Sequence, residues 1–278
     1  MTKRTALIGL LSALAPAVLL FGYQFRHSQQ FESEMQDPVE DPPDAARKAE
    51  FAFARLRYRQ YSGGGGGFGF RGGGRGFGRR QSWGIDSNRA DRLFEKVVRR
   101  LTRVDSKSVE EVIDVDDGPM LDYPWLYAVE VGHWELNAAQ AKRLREYLDR
   151  GGFLMVDDFH GTYEWEIFMR GLRQIFPDRD VVKIPDEDPI FHTVSDMSDR
   201  FQVPGKQFVR SGRTYEQDGY RDEWMGVYDD KGRLQVAICH NMDLGDAWQY
   251  ADDPEYPEKF AGLAIRVALN YVTYAMTR

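Results

Sequence analysis

The 278 residues include one cysteine, so no disulfide framework and no Cys-rich zinc module organises this chain. Histidine is scarce as well, with five residues. HExxH, paired CxxC and EF-hand loops are all missing, as are G-x-S-x-G, Walker A and the dinucleotide fingerprint. No repeat recurs at a fixed period, which excludes solenoids. Positive charge is the minority: 37 Lys+Arg face 44 Asp+Glu, a net charge of −7 that argues against whole-surface nucleic-acid binding. What is present suffices for a globular body. At 42% hydrophobic and 29% charged, the chain can bury the core of one large domain or two small ones.

The long apolar run lies at the start. Thr5 to Phe25 carries no formal charge and as a helix would span about 31 Å, the thickness of a bilayer core. A cleaved signal peptide is the competing reading. Its best small-residue site, Ala13-Leu14-Ala15, is followed by Pro16, and the apolar run continues beyond it. The expectation is a short tail over 1–4, then a single-pass transmembrane anchor over 5–25. The α-amino group, Lys3 and Arg4 precede the run, and Arg26 and a mostly acidic flank follow it. This bias places the N-terminus inside and the C-terminal domain outside the cytoplasm, with the membrane as partner.

Residues 26–50 are polar, with Pro38, Pro42 and Pro43, and read as a linker. Phe51 to Tyr61 alternates as a first strand does. Residues 62–80 then form a Gly-rich insertion expected to be disordered, because it cannot bury enough side chain to order itself. It resembles Arg-Gly-Gly boxes, and Arg71 to Arg103 is strongly basic. An extracytoplasmic domain rarely meets RNA, so anionic lipid or an acidic partner is the better match for that charge.

Beyond Trp83, helices and strands alternate. Asp86, Ser87 or Asn88 can cap a helix running to Arg103. Strands are predicted over Val109–Val115, Trp125–Val131, Phe153–Val156 and Val181–Ile184. Trp224–Tyr228 and Leu234–Cys239 form a hairpin. Asn137 and Gln140 open a helix over Ala138–Arg150 with a capping box. Gly151-Gly152 stops it. Further helices span Glu164–Phe176 and Pro257–Met276. The pattern predicts one α/β domain over 51–278, a mostly parallel sheet with helices on both faces.

Ligands of such sheets bind outside the carboxyl ends of the strands. The polar clusters expected there are Asp157-Asp158-Phe159-His160, then His240-Asn241-Met242-Asp243 with Asp246 and Trp248, and Glu130 with His133. His192 and Trp165 join the binding candidates. Carboxylate and imidazole together suit acid–base chemistry or a metal. Asp157, Asp158, His160 and His240 are therefore the catalytic candidates. Asp158, His160, His192 and His240 are the candidate ligands of a divalent metal. Cys239 beside His240 reads as a buried small hydrophobe, since strand neighbours point to opposite faces. Carboxylates beside Trp248, Tyr250 and Tyr256 resemble a sugar-binding surface.

Several of these segments carry a family resemblance. Tyr123-Pro-Trp-Leu-Tyr127, Gly151-Gly-Phe-Leu-Met-Val-Asp-Asp-Phe159, Asp188-Pro-Ile-Phe-His192, Ile238-Cys-His-Asn-Met-Asp-Leu-Gly-Asp-Ala-Trp248 and Asn270-Tyr-Val-Thr-Tyr-Ala-Met276 resemble the family called domain of unknown function 4159. The resemblance covers about 51–278. It implies a flavodoxin-like sheet of the class I glutamine amidotransferase-like type, which includes ThuA-like proteins. It further implies a ligand-facing edge at Gly151 to His160, and association with MoxR-type ATPases and von Willebrand A-domain proteins in a membrane complex. The nucleophile elbow of the amidotransferases is missing, so glutaminase activity is not expected. The leading expectation is a membrane-anchored extracytoplasmic domain that binds a ligand or partner. A metal-assisted hydrolase, with carbohydrate as one substrate class, and a structural component of a membrane complex are the alternatives.

Overall fold

The computed structural model describes residues 29–36, 38–60 and 81–278. The tail over 1–4, the anchor over 5–25 and the insertion over 62–80 lie outside the described residues. Among those described, no helix is long and apolar enough to cross a membrane.

The strands are β1 (Ala54–Arg57), β2 (Glu111–Asp114), β3 (Trp125–Val129), β4 (Phe153–Asp157), β5 (Val182–Lys183), β6 (Glu223–Tyr228) and β7 (Leu234–His240). They form one sheet in the order 2-1-3-4-7-6-5. The pairings from β2 through β1, β3 and β4 to β7 are parallel, and β6 is antiparallel to both its neighbours. The hairpin therefore supplies the departure from a parallel sheet, because the short turn after Tyr228 leaves no room for a crossover.

The helices are α1 (Arg89–Leu101), α2 (Ala138–Asp149), α3 (Gly161–Ile175), α4 (Phe208–Ser211), α5 (Leu244–Gln249) and α6 (Glu258–Thr277). Trp125, Tyr127, Phe153 and Met155 face the core shared with α1, α5 and α6. Their neighbours Leu126, Ala128, Leu154 and Val156 face α2 and α3. β3 and β4 are thus covered on both faces, which explains their nearly unbroken apolar sequence. Trp248 belongs to the first core, not to a ligand surface. Its ring packs 4.9 Å from Phe94 and 5.5 Å from Tyr127, and its indole N–H donates to the Ala264 carbonyl at 2.9 Å. Tyr256 is buried as well, so neither ring is free to stack on a sugar.

The capping box of α2 forms as expected, with Asn137 Oδ1 accepting from the N–H groups of Ala139 and Gln140. Gly151 follows α2 at φ +99, a conformation that L side chains rarely adopt. The side-chain cap expected for α1 does not form. Other partners take those groups instead: Asn88 bonds the distant Glu110, Ser87 Oγ donates back to the Gly84 carbonyl at 2.8 Å, and Asp86 turns elsewhere.

The described part of the expected linker is docked, not tethered. Met35 is buried, and Phe31 meets Trp83 edge-on at 6.1 Å. Asp41 pairs with Arg92 at 2.6 Å, Arg47 with Asp105 at 2.5 Å, and Asp44 with Arg99 at 3.5 Å. The basic face of α1, expected to seek an acidic partner, meets acidic residues of its own chain.

Candidate functional site

β1, β3, β4 and β7 end at one rim, and there the two polar clusters meet. The Asp158 N–H donates to the Met242 carbonyl at 3.1 Å, and Asn241 N–H to the Phe159 carbonyl at 3.0 Å. Asn241 Oδ1 accepts from Gly161 N–H at 2.8 Å. His240 Nε2 lies 3.1 Å from the Gly161 carbonyl, so as the donor tautomer it closes the junction.

The rim is strained. Asp86, Asn88, Glu130, Asp158, Gln217 and Asn241 are the non-glycine residues at positive φ among those described. All stand on this rim or on its flanking loops. Such conformations cost of order 1 kcal/mol or more each and persist where the surroundings enforce them, commonly at functional sites.

The rim is also crowded with carboxylates. Asp157, at the end of β4, accepts from Leu244 N–H at 2.8 Å, Gly245 N–H at 3.1 Å and the Tyr127 hydroxyl at 3.1 Å. It therefore anchors the start of α5. Burial outweighs these bonds and pushes its carboxyl up to about 7. Asp243 caps α5, its Oδ1 accepting from Asp246 N–H at 2.7 Å. Asp246 Oδ2 in turn accepts from Lys206 N–H at 2.5 Å. Ligand atoms of Asp86, Asp243 and Asp246 lie within 4.8 Å of one another. Asp86 Oδ2 is buried with no donor aimed at it, and the Asp86 carboxyl lies against that of Asp246. A Cβ at Gly205 would collide with Asp243 Oδ2 and Asp246 Oδ2, so only glycine lets that backbone pass.

Burial raises the carboxyls of Asp86, Asp158 and Asp243 well above the usual range, and neighbouring carboxylates add to the rise. Asp246 and Glu130 are raised as well, burial being the largest cause. Among the described residues, the cations facing these carboxylates are committed elsewhere. Arg55 is bidentate with Asp91, and Lys206 Nζ pairs with Asp253 at 2.5 Å. The trio is a hard, all-oxygen donor set of the kind that suits Mg²⁺, Ca²⁺ or Mn²⁺.

The family model described as Domain of unknown function (DUF4159) matches residues 53–276. The chain belongs to this family. No match is found among the curated proteins. The DUF4159 domain so bounded contains every rim residue named above, and excludes the docked segment over 29–50.

The expected histidines divide. His160 Nε2 lies 3.1 Å from Asp158 Oδ1, and burial pushes its imidazole down to about 3. His240 packs 4.7 Å from Phe159 and 4.8 Å from Trp165, and burial lowers it to about 4. Both are uncharged at neutral pH. His133 is half-exposed, 3.7 Å from Glu130 and 3.9 Å from Glu164. His192 stands apart, bonded to the Asp186 carbonyl at 2.8 Å and Asp196 at 3.2 Å. Cys239 is buried, and burial pushes its thiol far up. Asp86, Glu164 and Glu216 were missing from the sequence-based set. Asp86 had one hint: three successive capping residues cannot all cap one helix.

A pH dependence follows. Asp157 titrates at about 7 when folded against 3.8 as its ordinary value, and Glu216 at about 7 against 4.5. The folded state holds protons that the unfolded state has lost, so these groups lower stability as pH rises towards 7. The two histidines act oppositely, but only below about 6.5, where the unfolded imidazole becomes charged. Urea unfolding of chelated protein should therefore show stability falling between pH 6.5 and 7.5. A rise across that window would contradict the assignment.

Proposed function

We propose that this domain binds a hard divalent cation through Asp86, Asp243 and Asp246, as the fixed element of a ligand-binding rim. One observation carries the reading. Ligand atoms of three carboxylates lie within 4.8 Å of one another, and one oxygen of Asp86 is buried with no donor aimed at it. A buried anion needs a proton, an opposite charge or a metal. The donor set departs from the mixed Asp/His set expected from sequence, since His240 is engaged with Gly161 and His192 is remote.

The finer fold reading belongs to the same proposal. The 2-1-3-4 part of the strand order supports a flavodoxin-like arrangement, whose ligands sit where the order reverses, between β1 and β3. The chain's one cysteine, Cys239, is buried within β7 and does not stand on a strand-to-helix turn of the kind that makes a nucleophile elbow. This supports the absence of glutaminase activity. Asp158 beside His160 also supports a second reading, a hydrolase that uses the same rim and the cation as a Lewis acid. Equilibrium dialysis of chelator-treated full chain against Mn²⁺ and Ca²⁺ tests the main reading. About one bound ion per chain is expected, and none at millimolar concentration would overturn it.

We further propose that residues 5–25 hold the domain to a membrane, on its outer side. The support is the uncharged run and its basic N-terminal flank. The chain should resist alkaline carbonate extraction and yield its domain to protease added outside intact cells. Release by carbonate would contradict the anchor.

A further inference from the structure

The rim residue that sequence reasoning missed, Asp86, sits on a loop held from two sides. From within, Arg55 Nη1 donates to the carbonyls of Trp83 and Ile85, each at 3.0 Å. From outside, the segment Gln29–Gln36 lies along the same loop. Gln36 N–H donates to the Gly84 carbonyl at 2.8 Å, and Gln81 N–H to the Glu34 carbonyl at 3.2 Å. Glu34 Oε2 accepts from the Trp83 indole N–H at 2.9 Å and from Arg57 Nε at 3.0 Å. The approach is tight, since a Cβ on Gly84 would stand 2.5 Å from the Glu34 carbonyl oxygen. The last contact reaches the ligand residue itself: Asp86 N–H donates to Gln36 Oε1 at 3.2 Å.

We infer that Gln36 is a positioning residue for Asp86, and that docking of segment 29–36 and cation binding at the rim are coupled. The inference rests on the cation reading above. Asp86 is at φ 56, a conformation its own backbone does not favour. Something must hold it there. Arg55 fixes the carbonyls before Asp86 and Gln36 fixes its N–H, so the carboxylate reaches Asp243 and Asp246 only while both clamps are closed. Coupling of this kind is reciprocal: a cation that draws Asp86 into place must also tighten the docked segment. The segment lies outside the family-matched residues, so a partner or force acting on that side of the chain would set cation affinity without touching a ligand.

The test uses full chain, chelated and then titrated with Mn²⁺. Gln36→Met keeps the size of the side chain and removes the acceptor, and Gln36→Glu restores an acceptor oxygen. Mn²⁺ affinity should fall about tenfold in Q36M and return to within about twofold of wild type in Q36E. Hydrogen exchange of wild type should show amides of 29–36 slowing several-fold on Mn²⁺ addition. That measurement needs no substitution, so it decides even where Q36M folds poorly. Wild type that binds no Mn²⁺ overturns the cation reading. Wild type that binds Mn²⁺ with unchanged exchange over 29–36, or Q36M that binds it as tightly, overturns the coupling alone.

Discussion

Replacing Arg55 by methionine should lower the unfolding free energy by about 3–5 kcal/mol, the usual cost of breaking a buried ion pair from one side. Neither Arg55 nor Asp91 exposes its side chain. The guanidinium meets Asp91 through Nε at 2.9 Å and Nη2 at 2.5 Å, and spends Nη1 on two backbone carbonyls. Burial alone would lower the pKa of Arg55, but Asp91 outweighs it and the group stays charged. Methionine would leave the Asp91 charge and both carbonyls without partners. The double variant Arg55→Met, Asp91→Leu should recover part of the loss, because no uncompensated charge then remains. Urea unfolding of both variants measures this. A single-variant loss below 1 kcal/mol would mean that the pair does not organise the loop carrying Asp86.

Asp243→Asn should have two opposite effects, and their combination is the diagnostic. Asparagine caps helices as well as aspartate does, so the bond to Asp246 N–H survives. One carboxyl leaves a crowded cluster whose described cations are paired elsewhere, so the chelated variant should melt above wild type at pH 7.5. The same change removes a ligand. Unit charges 4 Å apart interact by about 4 kcal/mol at an effective dielectric of 20. Mn²⁺ affinity should accordingly fall about a thousandfold, and the Mn²⁺-induced rise in melting temperature should vanish. A variant less stable than wild type that still responds to Mn²⁺ would assign Asp243 a purely structural role.

The sheet was legible because β3 is apolar throughout, β4 is apolar up to its last residue, Asp157, and α2 carries its own start signal in Asn137 and Gln140. Element ends were less so. The helix expected from Glu164 begins at Gly161, because Asn241 and Asp218, distant in sequence, bond its first N–H groups. The meeting of the Asp157–His160 and His240–Asp246 segments followed from parallel strands ending at one rim. Which side chains point into that rim did not follow. Trp248 faced the core because α5 is short and its rim side is taken by Asp243 and Asp246. Asp86 was hidden because its carboxylate is aimed by Arg55 and Gln36, contacts that no local pattern encodes. The linker misled for the same reason. Its prolines and acids suit a tether, yet Arg92 and Arg99 pair with Asp41 and Asp44, and Asp105 pairs with Arg47.

Anomalous diffraction from crystals grown with Mn²⁺ would decide the account's core. The expected result is a single strong peak about 2.0–2.6 Å from carboxylate oxygens of Asp86, Asp243 and Asp246. A peak on His160 and His240 instead, or no peak at saturating Mn²⁺, would contradict it.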